Sequence, residues 1–190
     1  KLGWSDAEAK QYVVGPPFQA WQWMTNMESE NGPVPQSWLD RSLDLGRRII
    51  ARELELGMTP MQEGFTGCVP DLAKRKFPQA KIASKKAWYA HRPTPAQLDP
   101  LDPLFPVFAR TFYETQRELF GAYGFYATDP FHEGVPPVEG DEYLGRVGAE
   151  IAKAVRASDP TGVACMQAWS LRMPIVRAFP KGRLLILDIG

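Results

Sequence analysis

An acidic and imidazole-bearing cluster follows a short aromatic run in the segment Phe125-Tyr-Ala-Thr-Asp-Pro-Phe-His-Glu-Gly134. If residues 125–128 form a buried parallel strand, then Asp129, His132 and Glu133 emerge at the C-terminal end of that strand. Barrel enzymes and other α/β enzymes place their catalytic groups at this end of the sheet. Glu133 is therefore the first candidate for a catalytic residue.

The apolar and aromatic neighbours of Glu133 predict a partly desolvated carboxyl group. Desolvation disfavours the charged form of a carboxyl, and a carboxyl of this kind suits the role of proton donor to a glycosidic leaving group. Such acid catalysis contributes about 10²- to 10⁴-fold in rate. A solvated loop carboxylate is the alternative for a glutamate considered alone.

Tryptophan side chains form the second group of candidates. Flat aromatic faces suit the apolar faces of sugar rings, and indole N–H groups suit hydroxyls. Trp21, Trp88 and Trp169 lie near predicted strand-end loops, and each has a polar neighbour, respectively Gln22, Tyr89 and Gln167. Position alone leaves a binding role and a core role equally open for these three, although the polar neighbours favour a site.

Composition argues against several classes of partner. The 190 residues, 44% hydrophobic and 12% aromatic, are enough for one domain or part of one. The 22 basic and 22 acidic residues cancel, so neither nucleic acid nor an anionic membrane is an expected partner. No apolar run approaches the roughly 20 residues that span a bilayer. Cys68 and Cys165 are far apart among apolar or small residues, which favours buried thiols.

Common catalytic motifs are missing from the chain. It has no phosphate-binding loop, no dinucleotide fingerprint and no serine nucleophile elbow. A metal site built from His91, His132 and one of the cysteines lacks the close pairing expected of zinc ligands. We therefore expect no cofactor and no metal, and metal-dependent hydrolysis stays open as a minor alternative.

The elements that must position these residues alternate between strands and helices. Strands are predicted at residues 58–62, 125–128, 162–168 and 184–188. Helices are predicted at residues 5–12, 37–57 with Ser37 as the cap, 103–120, 141–157 and 173–179. Residues 15–24 are predicted as an aromatic loop, and residues 64–102 as a long loop with a helical turn at 70–76.

Strands that alternate with helices predict parallel pairing and right-handed crossovers. A closed eight-stranded barrel needs about 250 residues, so residues 1–190 are expected to form roughly the first half of a (β/α)₈ TIM barrel of the α/β class. An open doubly wound sheet is the alternative. The chain starts at Lys1 and stops within a predicted strand, so we expect a piece of a longer protein. Such a half barrel is expected to be poorly soluble or inactive alone.

Three blocks of the sequence resemble the α-N-acetylglucosaminidases of glycoside hydrolase family 89. The first is Gly15-Pro-Pro-Phe-Gln-Ala-Trp-Gln-Trp-Met-Thr-Asn26, continued by Gly32-Pro-Val-Pro-Gln-Ser-Trp38. The second is Gly57-Met-Thr-Pro-Met-Gln-Glu-Gly-Phe-Thr-Gly-Cys-Val-Pro70, and the third is Asp129-Pro-Phe-His-Glu133. Ala87-Trp88, Gln167-x-Trp169 and Leu185-x-Leu-Asp188 also match, so the resemblance covers essentially the whole chain.

The resemblance implies a retaining glycosidase that releases terminal non-reducing α-linked N-acetylglucosamine, from heparan sulfate, mucin-type or other glycans. Glu133 matches the general acid/base of the family. No residue here matches its nucleophile, which in the family lies beyond the end of this chain, and the family pattern does not support Glu63, Glu139 or Asp188 in that role. The residues that match blocks lining or supporting the sugar pocket are Trp21, Asn26, Trp88, His132, Gln167 and Trp169.

The resemblance also implies an extracytoplasmic protein, whether secreted, periplasmic or lysosomal. A catalytically degenerate carbohydrate-binding barrel remains the alternative to an enzyme. The two differ in whether a glutamate nucleophile ends a later barrel strand.

Overall fold

Four short parallel strands form the main sheet of the structure, a computed structural model that describes residues 2–85 and 92–188. The helices among these residues are α1 (Asp6–Tyr12), α2 (Gln19–Trp23), α3 (Gln36–Glu55), α4 (Ala73–Lys76), α5 (Phe105–Phe120), α6 (Asp141–Ser158) and α7 (Met173–Ala178). The strands are β1 (Met61–Glu63), β2 (Cys68–Val69), β3 (Ile82–Ser84), β4 (Ala96–Leu98), β5 (Phe125–Ala127), β6 (Val163–Gln167) and β7 (Leu184–Leu187).

The main sheet has the strand order β1-β5-β6-β7, and all its pairs are parallel. Helices α5, α6 and α7 connect consecutive strands. The strands follow one another in chain order without the reversal that defines a doubly wound sheet. Crossovers of one hand then place the connecting helices on a single face. The prediction of a barrel-type α/β fold is confirmed, and the doubly wound alternative is wrong.

The core lies between the main sheet and the helices α5 to α7. Tyr113 of α5 and Tyr126 of β5 are both buried and meet edge to face, with 5.4 Å between ring centroids. Val147, Ile151 and Val155 repeat every four residues along α6, and all three are buried in the same cluster. Burying side chains of this size contributes about 1.5–3 kcal/mol each, so this cluster fixes β5 and the start of the loop after it.

A second, antiparallel sheet with the order β2-β4-β3 lies between β1 and α5, where the sequence predicts a long loop. The predicted helical turn is present as α4, but the three strands were missed. Each has only two or three residues, too few for an alternating pattern to be recognised. The central strand β4 is buried, and its residues Ala96 and Leu98 belong to the same hydrophobic cluster as the main sheet and its helices.

Three predicted boundaries are wrong. The N-cap of α3 is Pro35 and not Ser37. Strand β1 begins at Met61 and not at residue 58, because Gly57, with φ of 75°, ends the helix and the Met58 N–H still donates to the Glu53 carbonyl of α3 at 2.9 Å. Residues 15–24 contain a 3₁₀ turn at Pro16–Phe18 and the helix α2, since proline at the first positions favours a helix start. The other predicted elements, β2 to β4 aside, agree to within two or three residues.

The cysteines and the exposed apolar residues can be compared with the sequence predictions. Both cysteines are free, and Cys165 is buried. Among the described helices, none has the length and apolar character needed to cross a bilayer. Met61 of β1 and Leu185 and Ile186 of β7 are more than 40% exposed, so apolar side chains of both outer strands of the main sheet remain uncovered here.

Candidate active site

The loop after β5 carries the acidic and imidazole cluster, and hydrogen bonds to β6 fix its first residues. The amide N–H of Thr128 donates to the carbonyl of Cys165 at 2.8 Å, and Thr128 is completely buried. The amide N–H of Gln167 donates to the Asp129 carboxylate at 2.7 Å. Asp129 therefore ties the start of this loop to the C-terminal end of β6, as expected for neighbouring strands of a barrel.

The next residues adopt a strained backbone. Phe131 has φ of 59° and Glu133 has φ of 48°, a left-handed conformation that costs non-glycine residues about 1–3 kcal/mol each. Arg172 holds this turn from the side of β6: its guanidinium donates to the carbonyl of Gly134 at 2.9 Å and to that of Pro130 at 3.5 Å. The same group lies 5.7 Å from the ring centre of Phe131. These contacts offset the strain.

Glu133 is exposed, while its neighbours Phe131 and His132 are buried. The apolar surroundings predicted for Glu133 are therefore not present in this chain. The left-handed turn points the side chains of Phe131 and His132 into the interior and leaves Glu133 at the surface. Its carboxylate accepts a hydrogen bond from the side-chain amide of Asn26. Two residues named from the sequence, 107 positions apart, thus meet in space.

The position of Asn26 is fixed by a short buried segment. Asn26 is only 4% exposed, and its backbone N–H donates to the carbonyl of Trp21 at 2.8 Å. The residue before it, Thr25, has φ of 61°. The Lys85 ammonium donates to both the carbonyl and the hydroxyl of Thr25, each at 2.8 Å. Lys85 therefore supports the turn that presents Asn26 to Glu133.

Three further predicted site residues contact one another. The rings of His132 and Trp169 meet edge to face at 5.1 Å and 87°. The indole N–H of Trp169 donates to the side-chain carbonyl of Gln167 at 2.7 Å. Gln167 ends β6, so strand β6 places Trp169 against the buried side of the loop that carries Glu133.

The remaining two predicted tryptophans have different outcomes. Trp21 is half-buried, with the ring of Phe18 tilted against it at 6.5 Å. Trp88 lies outside the described residues, as does its neighbour Tyr89. Gln22 was expected to favour a binding role for Trp21, and its amide group bonds the backbone of Tyr12 and Val14.

A small cleft lies at the C-terminal ends of the strands, and its lining includes residues to which the sequence analysis assigned no role. It is lined by Trp23, Met24, Thr25, Glu63, Thr66, Ala127, Asp129, His132 and Gln167. Burial, and then the nearby charge of Asp129, raise the pKa of the Glu63 carboxyl to about 8, against the effect of a hydrogen bond from Trp23. Burial also raises the pKa of Asp129.

Gly64 explains why Glu63 lies so close to the loop after β5. A Cβ atom at this position would lie 2.5 Å from both the carbonyl oxygen of Ala127 and the methyl group of Thr128. Only glycine allows that approach, and its N–H donates to the same carbonyl at 2.7 Å. The sequence signal for Glu63 was its position at the end of a predicted strand. Trp23 gave no comparable signal, because it lay in a segment predicted to be a loop.

Comparisons with known proteins place this arrangement in a family. The family model described as "Alpha-N-acetylglucosaminidase (NAGLU) tim-barrel domain" matches residues 1–190. The human α-N-acetylglucosaminidase is 31% identical over 202 residues, covering 99% of this chain and 27% of the human protein. The chain thus spans about a quarter of that relative's length.

Solved structures of a family 89 glycoside hydrolase from Clostridium perfringens are similar over the whole chain. One, in complex with 2-acetamido-1,2-dideoxynojirmycin, has a TM-score of 0.90 and 30% identity, and the match covers 100% of this chain and 22% of that protein. Another, with the same TM-score, identity and coverage, is a variant with two glutamates replaced by glutamine, in complex with its substrate GlcNAc-α-1,4-galactose.

Proposed function

The chain belongs to the α-N-acetylglucosaminidase family, and from that membership we propose that its protein is a glycosidase that releases terminal non-reducing α-linked N-acetylglucosamine with retention. The observation that carries the proposal is the position of Glu133. It follows a barrel strand at its C-terminal end, accepts a hydrogen bond from Asn26 and lies on a strained turn that Arg172 holds.

Glu133 is the proposed general acid/base. In the first step its carboxyl proton passes to the glycosidic oxygen while the bond from that oxygen to the anomeric carbon breaks. A second carboxylate attacks the anomeric carbon from the opposite face and forms a glycosyl–enzyme ester. In the second step Glu133, now a carboxylate, takes a proton from water, and the resulting oxygen nucleophile displaces the ester.

The second carboxylate is proposed to lie outside this chain, because no residue here matches the nucleophile of the family. A retaining pair needs carboxyl groups about 5–5.5 Å apart, and the later strands of a barrel can supply one across its C-terminal face. The Clostridium perfringens variant that holds intact substrate carries two glutamate-to-glutamine changes, which supports two glutamates in the reaction.

The other residues have proposed roles in binding. His132, Gln167 and Trp169 form one contacting group beside Glu133, and Asn26 orients its carboxylate. Trp21 is proposed to support this pocket from behind, through the backbone bond to Asn26, and Trp88 keeps its proposed binding role from the sequence match. Terminal α-linked N-acetylglucosamine on heparan sulfate or mucin-type glycans is the proposed substrate, and an extracytoplasmic location is proposed with it.

We also infer that these 190 residues are inactive and poorly soluble when produced alone. The outer strands β1 and β7 have unpaired edges within the described residues, and both carry exposed apolar side chains. Unpaired edges of this kind favour aggregation. Activity measurements therefore need the full-length protein.

The proposal is tested by hydrolysis of a phenyl α-N-acetylglucosaminide by the full-length protein and by its Glu133→Gln variant. We expect wild-type turnover, and a loss of about 10²-fold or more in the variant, because the leaving oxygen no longer receives a proton. An activated dinitrophenyl glycoside needs less protonation and should lose less. Azide should restore turnover of that substrate and yield an α-glycosyl azide, as retention requires.

Glu139→Gln is the matched control, since Glu139 is an exposed glutamate of the following segment. It should keep wild-type kinetics. Normal turnover by Glu133→Gln would refute the assignment of the acid/base. A wild-type protein that binds N-acetylglucosamine without any turnover would instead support the degenerate carbohydrate-binding barrel.

A further inference from the structure

Two exposed tryptophans lie at the cleft that contains Asp129 and His132: Trp23 lines the cleft, and Trp169 packs against His132. Trp23, the last residue of α2, is 55% exposed, and Trp169, in the 3₁₀ turn after β6, is 51% exposed. Trp169 was a candidate from the sequence, whereas Trp23 has no role in the proposed reaction. Large aromatic side chains with half their surface in water are typical of binding sites rather than of a core.

Each of these indoles lies near a residue at the C-terminal end of a main-sheet strand. Trp169 donates its N–H to Gln167, the last residue of β6. Trp23 lines the same cleft as Glu63, the last residue of β1. The Glu63 carboxyl is therefore the group placed to accept a hydrogen bond from the Trp23 N–H, as Gln167 does for Trp169.

Glu63 is itself fixed by the barrel. Its carbonyl accepts a hydrogen bond from the Gln116 amide at 2.9 Å, and it pairs in register with Ala127 of β5. The close approach at Gly64 prevents β1 from sliding along β5. The position of Glu63 is therefore set by the same strands that set the loop of Glu133.

The depth of the residues indicates which part of a substrate Trp23 would contact. His132 is buried and Asp129 is half-buried, so they lie at the base of the cleft, while Trp23 is at its rim. A terminal sugar cleaved from the end of a glycan occupies the base of such a site, and the next sugar lies toward the rim. The apolar face of a pyranose suits the face of an indole.

We propose that the Glu63 carboxyl orients Trp23 by accepting a hydrogen bond from its indole N–H, and that Trp23 is a specificity-determining residue that stacks on the leaving-group sugar. The inference rests on the proposed function and extends it to the leaving-group side. It makes Trp23 a substrate contact and Glu63 a positioning residue that acts through Trp23.

The test compares two substrates of the full-length protein. GlcNAc-α-1,4-galactose has a sugar as its leaving group, and α-N-acetylglucosaminyl fluoride has a leaving group without a ring. For Trp23→Ala, the ratio of kcat/KM for the disaccharide to kcat/KM for the fluoride should fall about tenfold, mainly through KM. Trp23→Phe keeps a flat ring and should keep most of the ratio.

The Glu63 variants separate positioning from general damage to the fold. Glu63→Leu removes the acceptor of the indole N–H and should lower the ratio about threefold, whereas Glu63→Gln keeps an acceptor and should restore it. Met58→Ala is the control, because Met58 is also 55% exposed but does not line the cleft. Thermal unfolding of each variant checks that it is folded.

The outcomes distinguish this inference from the function on which it rests. An unchanged ratio in Trp23→Ala would overturn the stacking role and leave the proposed glycosidase intact. Equal losses on both substrates would also overturn it, since they would show that Trp23 supports the site without contacting the leaving group. A wild-type protein that hydrolyses neither substrate would refute the proposed function, and this inference with it.

Discussion

The hydrogen bond from Asn26 to Glu133 gives a quantitative prediction about how the acid/base is oriented. Hydrogen bonds to charged groups contribute about 1.5–3 kcal/mol, which corresponds to about 10- to 150-fold in rate at about 1.4 kcal/mol per factor of ten. Glu133 is exposed, so water can replace the lost donor. We therefore expect the lower limit, a loss of about tenfold in kcat/KM for Asn26→Ala.

The assay is a double-mutant cycle on the phenyl glycoside, with Asn26→Ala, Glu133→Ala and the double variant in the full-length protein. If Asn26 acts through the Glu133 carboxylate, removing Asn26 should cost less than about twofold once Glu133 is alanine. The Trp21 carbonyl still receives the backbone N–H of residue 26, so the turn should persist. Losses that multiply independently in the double variant would refute the reasoning.

Two further predictions concern groups outside the reacting centre. Burial raises the pKa of the Glu28 carboxyl to about 7, so the native state binds this proton more tightly than the unfolded state, and the stability from this group is lost as pH rises from about 4.5 through 7. The melting temperature of Glu28→Gln should therefore rise relative to that of wild type between pH 5 and pH 8, while Glu114→Gln shows no such trend. A difference between Glu28→Gln and wild type that stays constant with pH would contradict this sign. Lys85→Met removes both hydrogen bonds to Thr25 and should lower kcat severalfold, because the turn before Asn26 is released. The control Lys81→Met changes an exposed lysine and should keep the wild-type kcat. Equal kcat values for the two variants would show that Lys85 does not support the site.

Much of the main sheet could be predicted because its elements carry strong periodic patterns. The strands at Phe125, Val163 and Leu184 are apolar runs, and α5 and α6 repeat their buried residues at helical spacing. Alternation of these elements then determines parallel pairing. Polar residues at strand ends, above all Glu133 and Gln167, could be expected at one edge of the sheet for the same reason.

The parts that were missed depend on contacts rather than on local pattern. The strands β2 to β4 are too short to show a period, and they are stable because β4 is buried between two partners. Gln22 was expected to favour a binding role for its neighbour Trp21, but only the fold shows that the Gln22 amide bonds the backbone. The exposure of Glu133 depends on two left-handed residues, a conformation that no local propensity of Phe or Glu predicts.

The strain in the loop after β5 also explains why the site uses residues from β6. Left-handed Phe131 and Glu133 cost about 2–6 kcal/mol together, and within the loop the Gly134 N–H donates to the Phe131 carbonyl at 2.9 Å. Arg172 bonds carbonyls on both sides of the turn, Gln167 bonds Asp129 before it, and Trp169 packs on His132 within it. Because all three follow or end β6, the position of Glu133 is determined by the pairing of β5 with β6, and a change that loosens β6 should disturb the acid/base without touching it.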